Sequence, residues 1–240
     1  MQIKVISPVV GSQPDLEAEQ VVPHGAARPG TALDLHYLNK GFPSVESELS
    51  DTVNSAQVIV ETLQADCDRY DGIFINCFDD PGVLSLREAL PIPVCGGYVP
   101  SMLTAMSLGE RVAVITTDER CIPMEERKAR MYGFDRHLVA VGCVSIAVVD
   151  LLEKRDELLN RLVQECERLH REYRADAVCL GCTVMAGLWK SLREQLKQRG
   201  CPIQVVEPLT TGIHWLENLI DMGYTNSRGL SLNLDALKMD

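Results

Sequence analysis

Two short stretches decide how this sequence folds: Gly72-Ile-Phe-Ile-Asn-Cys77 and Ala177-Val-Cys-Leu-Gly-Cys182. Each is an almost continuous apolar run, as expected of a parallel strand covered on both faces. Each ends in a cysteine and runs into a helix start. After Cys77 comes Phe78-Asp-Asp-Pro-Gly82, where Asp79 or Asp80 suits an N-cap and Pro81 the first helical position; after Cys182 comes Thr183, another capping residue.

Outward from these strands the two halves of the chain repeat one order. In the first, Ile3-Lys-Val-Ile6 is a strand, residues 50–69 a helix, Gly72–Cys77 a strand, 82–90 a short helix and Pro93-Val-Cys95 a short strand. In the second, Arg111–Thr117 is a β-branched strand, 121–132 a helix stopped by Gly133, and His137–Val141 a strand. A long amphipathic helix over 156–174 follows, with Leu158, Leu162, Cys166 and Leu169 on one stripe, and then the strand 177–182. A helix over 184–198, the strand Pro202–Val206 and a helix over 208–221 complete the half. The spacing from Ile6 to Cys77 nearly matches that from Ile115 to Cys182, and each cysteine precedes a helix and a proline-led strand. Strands alternating with helices predict an α/β protein of two pseudo-symmetric, doubly wound domains with mainly parallel sheets. The domains are placed at 1–97 plus 210–240 and at 98–209. The Gly-, Pro- and Ser-rich stretch 11–50 reads as irregular, with a site loop in it. The apolar segment Tyr98–Met106 reads as a core helix.

Composition narrows the partners. The 240 residues are 46% hydrophobic and 24% charged, enough for a substantial core and ordinary for a globular chain. A net charge of −11 disfavours nucleic acid and anionic membrane, since phosphate binding needs clustered Lys and Arg. The basic residues are instead mixed with acids, as in Glu125-Glu126-Arg127-Lys128-Ala129-Arg130, which reads as a solvated helix face. No charged leader followed by an apolar run opens the sequence, and no stretch is long and apolar enough for a membrane helix. A cytoplasmic chain with reduced thiols is therefore expected, its nine cysteines serving either as small core residues or as chemical groups. Cys67, Cys166 and Cys179 read as core. Cys179 and Cys182 spell C-x-x-C, but strand neighbours of that spacing point to opposite faces, and neither a second such pair nor histidines at ligand spacing accompany them. No metal and no cofactor is expected.

Ligands of open α/β sheets bind beyond the carboxyl ends of the strands, where Cys77 and Cys182 should lie. A helix start favours a thiolate there, and its free N–H groups suit a developing oxyanion; the Asp79 and Asp80 carboxylates beside Cys77 oppose this unless they point away to cap or to bind substrate. Taken singly, each cysteine is as well read as a core residue; their equivalent positions favour a pair. Two like groups facing each other across a cleft, one thiolate and one thiol, suit removal of a proton from one face of an acidic carbon and its return to the other.

The motifs Gly41-Phe-Pro-Ser-Val-Glu-Ser47, Asn76-Cys-Phe-Asp-Asp-Pro-Gly82, Leu180-Gly-Cys-Thr-Val-Met185 and Val206-Glu-Pro208 resemble the aspartate/glutamate/hydantoin racemase superfamily, most closely its hydantoin and allantoin racemase branch. The resemblance spans nearly the whole chain. It implies two α/β domains with the active site in the cleft between them, a catalytic cysteine from each, no cofactor, and a small-molecule substrate such as a 5-substituted hydantoin or allantoin. Substrate contacts are implied at Ser7 and Pro8 in a first-strand loop, at Ser44, Phe78 and Asp79, at Thr116 and Thr117, and at Thr183 and Val184. For Ser44 and Thr117 helix capping is an equal reading. Ser7-Pro8-Val9 stands where the branch usually carries Asn-Pro-Asn. A homo-oligomer is expected. Amino-acid racemase, maleate-type isomerase and arylmalonate-type decarboxylase chemistries stand as alternatives, as does a small-molecule binder.

Overall fold

A computed structural model describes residues 1–10 and 25–227. It contains two four-stranded, wholly parallel sheets of identical topology. The first is ordered β2-β1-β3-β4, with β1 Gln2–Val10, β2 Ala32–Leu38, β3 Gly72–Ile75 and β4 Val94–Cys95. The second is ordered β6-β5-β7-β8, with β5 Val112–Thr116, β6 Leu138–Cys143, β7 Ala177–Leu180 and β8 Gln204–Val206. The central strands β3, β5 and β7 are buried at every position, which is why they read as unbroken apolar runs.

Helices cover both faces of each sheet. Helices α1 Glu48–Gln64 and α2 Val83–Ala89 place Val58, Val83 and Leu86 against Ile6, Ile73 and Ile75. Helices α5 Arg155–Tyr173 and α6 Trp189–Gln198 place Leu162, Leu169 and Leu192 against Ile115, Val178 and Leu180. The remaining helices change sides. Helix α3, Tyr98–Leu108, follows the last strand of the first sheet but packs Tyr98, Met102 and Ala105 on the second, together with α4, Ile122–Tyr132. Helix α7, Pro208–Asp221, follows the last strand of the second sheet but returns Leu209, Ile213 and Leu216 to Ile3, Val5 and Phe74 of the first. Tyr98–Met106 thus lies in the core helix the sequence suggested.

One strand escaped the sequence reading. Within the stretch taken as irregular, Ala32–Leu38 forms β2, an edge strand in parallel register with β1 from Gln2↔Ala32 to Ser7↔Tyr37. All but one of its residues are at least partly exposed, so its apolar content is diluted by Asp34 and His36. The part of that stretch within 11–24, and residues 228–240 of the first predicted domain, lie outside the described residues. Among the described residues no helix is long and apolar enough to cross a membrane.

Candidate active site

The two sheets present equivalent carboxyl ends. Strand β3 pairs with β1 as far as Ile6↔Ile75, and β7 pairs with β5 as far as Ile115↔Leu180. One residue on, the Asn76 N–H donates to the Ile6 carbonyl and the Gly181 N–H to the Ile115 carbonyl, both at 2.8 Å. The next residues are Cys77 and Cys182. The pairing Ile6/Ile115 assumed from spacing is therefore the pairing in the fold. Glycine is needed at two points of this frame. A side chain at Gly181 would lie 2.8 Å from the Ile115 carbonyl oxygen, and one at Gly97 would lie 3.1 Å from the Cys77 carbonyl, which the Gly97 N–H engages.

Both cysteines are half-buried free thiols, and they sit in matching hydrogen-bond settings. A main-chain N–H two residues on lowers each thiol, that of Asp79 acting on Cys77 and that of Val184 on Cys182. The two sulfurs are close enough for charge on Cys182 to raise the Cys77 thiol. The loops are also tied to each other: the Thr183 hydroxyl donates to the Asn76 carbonyl at 3.2 Å.

Neither thiol is poised to ionise near neutral pH, contrary to the expectation from the helix starts. Burial, and then the Asp79 charge, hold Cys77 well above an ordinary thiol. Burial pushes Cys182 up to about 12, with Glu46 and Asp79 adding to it. The single N–H to each sulfur works in the opposite direction and is outweighed. The capping roles differ from expectation too. Asp80, at φ 55, turns away from its own helix, and Gly82 occupies the N-cap of α2. The Asp80 carboxylate instead accepts from the Tyr98 N–H at 3.0 Å and caps α3, while Asp79 forms a buried ion pair with Lys128. Thr183 spends its hydroxyl on Asn76 rather than on a cap.

The other residues singled out in the sequence gather at the same end of the sheets. Ser7 and Pro8 are in β1 rather than in a loop after it, and both are buried. The Ser7 hydroxyl oxygen accepts from the Asn76 side-chain amide at 3.1 Å. Thr116 closes β5, with Thr117 next in the chain and equally buried. The Ser44 hydroxyl donates to Glu46 at 2.9 Å, and so does that of Thr117 at 3.3 Å. Neither caps a helix; Ser47 caps α1. Phe78 differs from the rest, because its ring is fully buried against Tyr98, 5.1 Å between centroids, and is committed to the core. Cys166 and Cys179 are buried as expected, whereas Cys67 is only half-buried at the margin of the first core.

Four polar residues that hold the site together were missed in the sequence. Glu46 is buried, and besides Ser44 and Thr117 it accepts from the Val148 N–H at 3.0 Å, so it binds the 41–47 segment to the loops of the second sheet. Asn54 is fully buried on α1 and donates to the carbonyls of Pro8 at 2.7 Å and Phe42 at 3.1 Å. Glu125 and Lys128 belong to the run read as a solvated face. That holds for Glu126, Arg127 and Arg130, which are exposed, but Glu125 is fully buried and the Lys128 side chain is 11% exposed. Helical phase carries the signal: Glu125 and Lys128 lie one turn apart beside the buried Met124 and Ala129.

The family model described as Asp/Glu/Hydantoin racemase matches residues 17–215. A hydantoin racemase of Rhizobium meliloti is 30% identical over 185 residues, covering 77% of this chain and 75% of its own. One of Pseudomonas sp. (strain NS671) is 29% identical over 231 residues, covering 95% and 89%. The crystal structure of allantoin racemase from Pseudomonas fluorescens superposes with a TM-score of 0.87 at 26% identity, covering 96% of this chain and 95% of that one.

Proposed function

Since the chain belongs to the Asp/Glu/hydantoin racemase family and is an isomerase of that kind, we propose that it racemises 5-substituted hydantoins or a related cyclic ureide such as allantoin, with Cys77 and Cys182 as the two acid–base groups and without a cofactor. One observation carries the reading: two free thiols at equivalent points of two matching sheets, in loops tied to each other by the Thr183–Asn76 hydrogen bond.

The chemistry follows from the settings of the two sulfurs. One cysteine, as thiolate, takes the hydrogen of the ring carbon as a proton. The electron pair moves onto the neighbouring carbonyl oxygen as an enolate, and the opposite thiol gives its proton to the other face of the carbon. The products are the mirror-image ring and a protein in which thiol and thiolate have exchanged places, ready for the reverse turnover. Because both thiols are raised in the resting site, substrate must bind to the fraction of molecules that has lost one proton, and the rate should rise with pH through the neutral range.

The polar lining favours a neutral ring over a free amino acid. The hydroxyls of Ser44 and Thr117 already donate to Glu46, so what they offer a ligand is lone pairs, and a ureide supplies N–H groups to match. A carboxylate substrate needs a cation, and the buried cation nearest Cys77, Lys128, is already paired with Asp79.

The test is incubation of single-enantiomer 5-substituted hydantoins and allantoin, and separately of aspartate and glutamate, in deuterated water, followed by polarimetry and proton NMR. Loss of rotation together with loss of the ring-proton signal is expected for the ureides alone. Exchange on the amino acids but on no ureide would overturn the substrate assignment.

A further inference from the structure

Behind Cys77, on the side of the loop that faces α4, lies a buried charged cluster not accounted for by two-cysteine chemistry. Lys128 pairs with Asp79, and the side chains are 11% and 8% exposed. The Lys128 ammonium sits 4.9 Å from the centre of the Tyr98 ring and 5.9 Å from that of Phe78. Glu125, one turn earlier on α4, is fully buried; its nearest carboxylate oxygen is 3.7 Å from the Lys128 nitrogen and neither oxygen has a hydrogen-bond partner. The ion pair crosses between the halves, since Asp79 follows β3 of the first sheet and α4 covers the second. The loop after Cys182 differs: it reads Thr183-Val184, with no acid in the place of Asp79.

Asp79 therefore acts on Cys77 in two opposed ways. Its main-chain N–H lowers the thiol and favours a thiolate, and its carboxylate disfavours one. A lysine clamped to that carboxylate cancels much of the second effect and fixes the loop for the first. We infer that Lys128 is a positioning residue chiefly for Cys77: by holding and neutralising Asp79 it fixes the Asp79 N–H beside the sulfur and makes a thiolate attainable there.

Within the group formed by Lys128, Asp79 and Glu125, one cation serves one anion. Burial, with the Asp79 charge adding to it, pushes Glu125 well above an ordinary carboxyl, so it is held neutral. Burial opposes the charge on Lys128, but the Asp79 carboxylate, by charge and by hydrogen bond, holds it above its ordinary value, so it stays charged. The other groups facing the cluster include Asp51 of α1, Asp80 of the same loop, Arg87 of α2, Cys121, Arg127 and Tyr132 at and on α4, Tyr98 of α3, Cys179 of β7 and Cys182. Burial raises Asp51 and Asp80 to about 6. Arg127 is exposed. Lys128 is thus the buried cation in direct contact with the Asp79 carboxylate.

The proposal bears on Cys77 whatever the substrate, so its test needs no substrate. Cys77 and Cys182 are alkylated with iodoacetamide from pH 7 to 10 and quantified separately by peptide mass spectrometry in the native protein, Lys128→Met and Lys128→Arg, with circular dichroism confirming that each variant is folded. Lys128→Met should slow alkylation of Cys77 about tenfold at pH 8–9, the loss of roughly one unit of charge stabilisation, while Cys182 stays within about twofold of the native rate. Lys128→Arg should restore most of the Cys77 rate. An unchanged Cys77 rate in Lys128→Met, or equal changes at both cysteines, overturns the proposal.

Discussion

The hydroxyl of Thr183 donates to the carbonyl of Asn76 at 3.2 Å, which ties the residue after one cysteine to the residue before the other. Thr183 belongs to the second sheet's loop and Asn76 to the first, and both are buried. The separation of the two thiols is therefore set by a hydrogen bond within one residue of each, and not only by the packing of distant helices.

Cutting this tie should harm turnover more than stability. Thr183→Val removes a hydrogen bond of about 1 kcal/mol net, a small loss of stability, but it frees two loops whose registration the reaction needs. A fall of about tenfold or more in kcat/KM is expected, because displacements near 1 Å at a reacting centre are costly. Thr183→Ser, which keeps the hydroxyl, should recover most of the rate. Denaturant melts and initial rates on the same preparations check both halves of the statement.

Glu46 offers a second handle. Its carboxylate accepts from Ser44, Thr117 and Val148, and its charge helps to keep Cys182 protonated. Glu46→Ala leaves those donors buried without an acceptor and should cost about 2–3 kcal/mol by urea denaturation. Glu46→Gln keeps the shape and one acceptor oxygen while removing the charge. It should increase alkylation of Cys182 at pH 8–9 relative to Cys77.

The raised thiols also give the fold an alkaline weakness, with a definite sign. Burial sets Cys182 to about 12 in the folded protein, above its value in the unfolded chain, so between the two values the folded state binds more protons. Its contribution to stability is complete below the unfolded thiol value and is lost as pH rises toward 12. At pH 10 the loss from this one group is about 1–2 kcal/mol. Urea unfolding at pH 8, 9 and 10 should show a steeper decline for the native protein than for Cys182→Ser, which lacks the titrating group.

The outline of this molecule was legible because its core strands are covered on both faces. Gly72–Ile75 and Ala177–Leu180 could bury only apolar residues, and in sequence that burial appears as two matching runs ending in cysteine. β2 was not legible, since as an edge strand it mixes Asp34 and His36 with its apolar residues. At the site, the cysteines and the hydroxyls of the four motifs could be found by position along the chain. Glu125 and Lys128 could not be found that way, because charge next to charge on a helix resembles a wet surface until helical phase is applied. Asp80 is a further case: its sequence position suits the cap of α2, but a backbone at φ 55 carries its carboxylate to α3 instead. The ionisation of the thiols was legible only in part: the Asp79 charge beside Cys77 could be read from its position, whereas burial could not. A helix start favours a thiolate, and only the three-dimensional burial, with Asp79 and Glu46 nearby, reverses the outcome.

The most direct test of the opposed-cysteine account is proton exchange measured apart from inversion. Each enantiomer of a racemised hydantoin is incubated in deuterated water with Cys77→Ser and with Cys182→Ser, and ring-proton loss is followed by NMR alongside optical rotation. The account predicts that both variants lose racemisation, that each retains exchange on one enantiomer only, and that the enantiomer differs between them. Full racemisation by either variant, or the same enantiomer exchanged by both, would contradict it.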